Sequence, residues 1–252
     1  SSLWYQQAVA DAELAVRERV YESNAWISRH VALSVKDELR NYFDIVEQES
    51  VQGELPDLIT TILTTSGLQN IHADRQPWAT LTPSQKAFKD DPQRLPLDQF
   101  LEGRIQYYQQ KLQLDEANAK IASLFIVGPQ GDMLGIAFSP DEIRGQQSVG
   151  RYYGYRNYFH GGPQDLAQDI ESRAIATISN THLSRAFQST TTKKWKIAIT
   201  TPIYLPTKQV DQVNQANPIN QRELIGIMAV TLNLGDFSYL RNKTIENQFA
   251  VF

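Results

Sequence analysis

The chain has 252 residues, 24 basic against 28 acidic side chains for a net charge of −4, and a 41% hydrophobic content. That allows one large domain or two small ones around a real core, and it offers no basic face for general nucleic-acid binding. With no cysteine, disulfides, thiol catalysis and cysteine-ligated metal sites are excluded.

Residues 3 to about 48 contain neither glycine nor proline. Apolar residues recur there at Ile27, Val31, Val35, Leu39, Tyr42 and Val46, which predicts one amphipathic helix over most of residues 5–46. At 1.5 Å per residue such a helix reaches roughly 65 Å. A domain of about 200 residues is only about 40 Å across, so the helix overshoots it like a stalk. The alternative is a helix broken at "ESNAW". Gly53 and Pro56 end this run. A short helix is expected at about 56–66, stopped by Gly67. Residues 70–96 read as loop, with Pro77, Pro83, Pro92 and Pro96 as breakers. "LDQFLEGRIQYYQQKLQL" reads as a further helix.

Strands then take over. "IASLFIV" and "MLGIAFS" are joined by "GPQGD", a hairpin signal. A helix is expected near 164–178. "SRAFQST" and "KWKIAITTPIYL" form a second strand pair around Thr190–Lys193. "RELIGIMAVTLNL" is the final strand, after a polar surface loop from Pro206 to Arg222. "GDFSYL" should begin a short helix. "NQFAVF" then turns apolar, and reads as the start of a truncated following unit. Hairpin-type strands after helices predict an α+β fold, an antiparallel sheet of five or six strands with helices on one side.

No motif for catalysis stands out. The four histidines, His30, His72, His160 and His182, are not at metal-ligand spacing, and no nucleophile-elbow or phosphate-loop pattern occurs. The acid pairs Asp90-Asp91 and Asp141-Glu142 lie in loop-like sequence and read as solvated. No metal and no cofactor is called for. The unusual stretch is "RYYGYRNYFHGG", residues 151–162, with five rings, two arginines and a histidine. Rings such as Tyr153, Tyr158 and Phe159 supply a rigid apolar wall, and Arg156 offers a planar fork for a carboxylate or phosphate. Together they describe a small-molecule pocket. The other reading is a lid packed on the sheet, with Arg156 paired to an acid for shape alone.

"YRNYFHG" resembles the R-x-[YW]-[FY] motif of bacterial extracytoplasmic double Cache sensor domains. The order of parts is similar too: a long helix, the pair "IASLFIV" and "MLGIAFS", the motif loop, "KWKIAITTPIY" and the closing "ELIGIMAVTLNLGDF". The resemblance runs from about residue 1 to 240, and "THLSRAFQSTTTKKWKIAITTPIYL" is further similar to sensor parts of membrane-bound Ser/Thr kinases. It implies a PAS-like sheet with a ligand pocket on one face and the long helix on the other. Residues 1–48 would be the signalling helix, 49–240 the ligand-sensing module, and 241–252 the start of a following module or linker. The parent protein would be a membrane-tethered, periplasmic receptor, with a homodimer formed through the helix. In amino-acid-binding members the motif arginine and the ring two residues on hold the ligand carboxylate; Arg156 and Tyr158 stand there, with Phe159 beside them. The family's Y-x-D falls on His182 and Ser184, and its last-strand aspartate on Thr231. Both acids are absent, which implies a carboxylate or polar uncharged metabolite rather than an α-amino acid. The competing readings are a dimerising interaction module without a ligand, and an enzyme or secreted binding protein.

Overall fold

Alternation along the strands decides the architecture. In β1 (Ile121–Val127) every residue is buried, and in β6 (Leu224–Asn233) all but the first are. Strands apolar on both sides need cover on both sides. The computed structural model describes residues 39–73, 82–112, 120–140, 142, 148–168, 175–206 and 222–236. Within it, β1, β2 (Met133–Phe138), β3 (His182–Leu183), β4 (Phe187–Gln188), β5 (Trp195–Tyr204) and β6 form one sheet. Its order is β2-β1-β6-β5-β3, with β4 also on β5, and every pairing is antiparallel. The described residues therefore form an α+β fold with a six-stranded sheet. The sheet is not a simple meander, because β6 sits in the centre, between β1 and β5.

One face carries Leu124, Ile126, Ile197, Ile199, Met228 and Val230 into a core shared with the helices. The intervening Phe125, Val127, Ala198, Ile227 and Ala229 face the other way, into a smaller core with Tyr153, Tyr158 and Phe159. The first face is covered by α1 (residues 39–50), α2 (Leu55–Leu63) and α5 (Leu95–Leu112). In α5 the buried residues are Leu97, Leu101, Ile105 and Tyr108, one stripe at helical spacing. Each such side chain contributes about 1.5 to 3 kcal/mol by leaving water. Between α1 and α5 lies the fully buried Glu49. Arg104 donates to its two oxygens at 2.8 and 2.7 Å, and the Tyr108 hydroxyl also donates to it. The hydrogen bond to Glu49 holds the Arg104 guanidinium charged to higher pH than usual.

Three expectations need correction. Residues 70–96 are not loop throughout. Helix α3 spans Ser66–Ala73 and α4 spans Pro83–Lys89, because a proline at the first helical position starts a helix rather than breaking one. Thr82 caps α4 in a reciprocal pair with Gln85, and Pro96 falls in the first turn of α5. Gly67 lies inside α3 and does not stop a helix. A Cβ there would meet Asp91 Oδ2 at 3.2 Å and the Phe88 ring at 3.4 Å, so the glycine serves the close approach of the α4 end. Finally, residues 164–168 and 175–178 are irregular. Their backbone bonds go to the neighbouring loop, Leu166 N–H to Tyr155 O at 2.8 Å and Ile178 N–H to Phe159 O at 3.0 Å.

Residues 39–50 are helical, as periodicity demands. The remainder of the 5–46 helix and its alternative break lie outside the described residues, as do residues 169–174, most of the 206–222 loop and everything after 236.

Candidate functional site: an aromatic cleft on the face opposite the helices

The aromatic stretch is held in place by the β1–β2 turn. Gly150 N–H donates to Met133 O at 2.8 Å, Met133 N–H to Arg151 O at 2.9 Å, and Tyr153 N–H to Gly131 O at 2.6 Å. Gly131 has φ +89°, and a Cβ there would stand 2.7 Å from Gly154 Cα. The turn and the loop thus meet backbone to backbone, which only glycine permits. From α4, the Gln85 side-chain amide reaches Gly150 O at 3.2 Å, and from α3, His72 meets the buried Asp132 at 2.6 Å. Helices on one face fix the loop on the other.

After Arg156 the chain makes one helical turn, α6 (Asn157–His160). Asp165 serves both ends of this corner. Its Oδ1 accepts the Asn157 N–H at 2.7 Å and its Oδ2 accepts Arg156 Nη1 at 2.7 Å. The guanidinium lies 5.1 Å from the Tyr155 ring centre and 5.3 Å from that of Phe187, within cation–π range. Only 11% of the Arg156 side chain is exposed, and its buried Nε has no hydrogen-bond partner among the described residues.

Arg156 opens onto a cleft with apolar walls from Phe125, Met133, Tyr153, Tyr158 and Phe187. Its polar groups include Ser123, Thr231, Thr191 and Lys196. The cavity measures about 40 Å³, room for a few waters. A second cleft of about 190 Å³ is lined by Gln164, Asp165, Ser184 and Arg185, and shares Tyr158 and Phe187 with the first. These two rings, with centroids 5.6 Å apart, border both spaces. Burial holds the Tyr158 hydroxyl neutral far above its usual range, although Arg156 opposes that shift.

The sequence-derived residues distribute as follows. Arg156, Tyr153 and Thr231 line the first cleft, Tyr158 lines both and Ser184 the second. Thr231 shares a short hydroxyl contact with Ser123. Ser184 Oγ accepts the Ala198 N–H and donates to Arg185 O, both at 2.8 Å. Phe159 is not among the walls of either cleft; it is 1% exposed, inside the core that Tyr158 shares. His182 is outside both as well. It pairs with Thr200 across the sheet and stands 3.5 Å from Asn157 Oδ1. Burial, with His160 adding to it, lowers its pKa. The family's Y-x-D and last-strand aspartate are replaced by His182, Ser184 and Thr231, as read from the sequence, and a different acid, Asp165, folds back onto Arg156, the pairing that the lid reading expects.

Sequence reasoning missed the charged group at one side of the cleft. Lys196 is 2% exposed and Glu142 5%, so Glu142 is buried rather than solvated. Glu142 accepts from Lys194 Nζ at 2.8 Å, Lys196 Nζ at 3.0 Å and Asn233 Nδ2 at 2.7 Å. Burial alone would raise its pKa, and these donors together hold it below the ordinary value. The signal for Lys196 was its parity with Ala198 and Thr200, which puts it on the cleft side of β5. Among the described residues no group of three or more His, Asp or Glu could hold a metal ion.

The sequence matches no family model, and no curated protein matches it. Among solved structures, the chain is similar to the sensor domain of the V. cholerae histidine kinase DctB (TM-score 0.37, 14% identity, 85% of this chain and 62% of that one). It is also similar to the ligand-binding domain of the Campylobacter jejuni chemoreceptor Tlp3 in complex with 4-methylisoleucine (0.31, 13%, 82% and 63%). A third is that of the Pseudomonas aeruginosa amino acid chemoreceptor PctC with GABA (0.33, 13%, 79% and 69%). The chain spans less than two thirds of the first two.

Proposed function

We propose that this chain is an extracytoplasmic ligand-sensing domain of a bacterial transmembrane receptor, and not itself an enzyme. Its ligand is a small metabolite with a carboxylate or polar uncharged group, bound beside Arg156, Tyr153, Tyr158, Ser184 and Thr231. The observation that carries this reading is the buried Arg156, its Nε without a partner among the described residues, at a cleft walled by aromatic rings. Buried polar groups find partners in folded proteins, and a ligand acceptor is a partner for this one. The order of sequence motifs, similar to double Cache sensors, supports the same reading. The first cleft admits only a few waters as it stands, so a ligand that spans both clefts requires Tyr158 and Phe187, which border both, to part. That motion has a path to the helix face. The Thr181 hydroxyl, next to β3, donates to Glu47 on α1 and contacts Thr201 Oγ1 at 3.0 Å. A ligand that favours the parted state shifts the population of both.

A second reading has an observation in its favour. Arg156 is paired internally with Asp165 and the first cleft is narrow, as in a module that dimerises through its helix and binds nothing. Thermal-shift screening of the domain against a metabolite panel, followed by calorimetry, separates the two. The sensor reading expects at least one small polar or anionic compound to raise Tm and to lose affinity in Tyr158→Ala. A panel with no hit, together with a dimer that forms without ligand, supports the interaction module instead.

A further inference from the structure

Charged groups stand at two sides of the first cleft. Arg156 and Asp165 pair one to one. On the other side, Lys194 and Lys196 share the single carboxylate of Glu142. Asn233 Nδ2, which donates to Glu142, also donates to Asp236 at 3.2 Å, and the Asp236 carboxylate acts on Lys196 as well. Of the two lysines, Lys194 has a side chain 48% exposed and is solvated, whereas that of Lys196 is 3% exposed.

An ammonium has three N–H donors. Lys196 Nζ gives one to Glu142 Oε2 at 3.0 Å, and no second acceptor meets it among the described residues. Charged donors hidden from water without acceptors are costly. The Ser123–Thr231 hydroxyl pair and Thr191 line the same cleft. They offer donors for further oxygens of an anion held there.

We propose that Lys196 is the anchor for the anionic group of the ligand, while Asp165 already neutralises Arg156 at the other side. This rests on the ligand-sensing reading and deepens it, since it makes the ligand class anionic and moves the charge contact from the motif arginine to β5. Burial lowers the pKa of Lys196, against the pull of Glu142, and a carboxylate beside it would reverse that shift. Arg156, with the neighbouring Tyr155 and Phe187 rings and an Nε that has no partner among the described residues, then faces an uncharged part of the ligand.

The test is an NMR titration of the domain with propanoate and with propanamide, nearly identical in shape and different in charge. Wild type should bind propanoate in preference. Lys196→Met should weaken propanoate binding about tenfold or more, the worth of a charge-assisted hydrogen bond, and more than Arg156→Gln does. Glu142→Gln should tighten it, because Lys196 then lacks its carboxylate. A merely structural role for the Glu142–Lys196 pair gives no such gain, and this arm holds even if Lys196→Met fails to fold. Equal binding of propanamide overturns the proposal, as does loss in Arg156→Gln with none in Lys196→Met; the sensing reading survives both. If neither propanoate nor any metabolite of the panel binds wild type, both readings fall.

Discussion

The two faces of the sheet are built on different terms. The helix face is a continuous, mainly aliphatic core, closed by α1, α2 and α5 at helical spacing, with Glu49 hydrogen-bonded to Arg104 within it. The opposite face has a core of about a third that number of residues, covered by irregular chain, rings and one short turn of helix. It also carries Arg156, Glu142 and Lys196, charged groups that are nearly or fully buried. Regular elements satisfy their own backbone and leave only apolar surface to pack. Irregular chain must satisfy its amides with side chains such as Asp165, and it leaves gaps. The helix face is organised to hold shape, and the loop face to admit something polar.

That contrast can be broken by experiment. Ile59 is fully buried in α2 on the helix face. Ile59→Ala should cost about 2 to 5 kcal/mol, the usual range for a core cavity, read from urea midpoints. Phe187→Ala, at the partly exposed wall of the clefts, should cost less than Ile59→Ala while widening both clefts. Equal costs would erase the distinction. Next in size is Gly131→Ala, which forces a side chain into a positive-φ position and against Gly154. It should cost about 1 to 3 kcal/mol and weaken any ligand bound beside Tyr153, while leaving far-UV helix content unchanged.

A pH effect sharpens the comparison. Glu142 has its folded pKa below the ordinary 4.5, so its charged form favours the folded state. That contribution is full above the ordinary value and is lost as pH falls through the lower folded one. Denaturant midpoints of wild type and Glu142→Gln should therefore converge on acidification below about pH 4.5. A gap that stays constant with pH would mean that the carboxylate is not held by the lysines. The smallest effect is expected at Thr181→Val, about 0.5 to 1.5 kcal/mol for one hydrogen bond. Its use is in coupling. Amide exchange in residues 39–50 should respond to ligand in wild type and respond less in the variant.

Much of the sheet was legible in the sequence. β1, β2, β5 and β6 declare themselves as apolar runs between turn residues, and their alternation assigns side chains to faces. The position of β6 between β1 and β5 was not legible, because no local pattern encodes which long strand pairs with which. Pro83 and Pro96 were misread, since proline is equally at home at a break and at a helix start. In the site, Arg156 and Tyr158 were found because one short motif holds them. Neighbours in a helical turn point in different directions, so Phe159 enters the core while Tyr158 meets the cleft. Glu142 and Lys196 were missed as a pair because their meeting depends on tertiary contact across 54 positions.

The central place of β6 also bears on how the protein is made. Ile121 faces Leu232 and Ile199 faces Val230, so β6 joins a strand more than a hundred residues upstream to one about thirty upstream. Until the ribosome has delivered it, β1 and β5 each present an unpaired apolar edge, the kind that recruits other chains. Pairings so distant in sequence also form slowly once all parts exist. Nascent or truncated chains lacking residues 224–233 should therefore collect in aggregates and on chaperones, and the full sheet should close in a single late step.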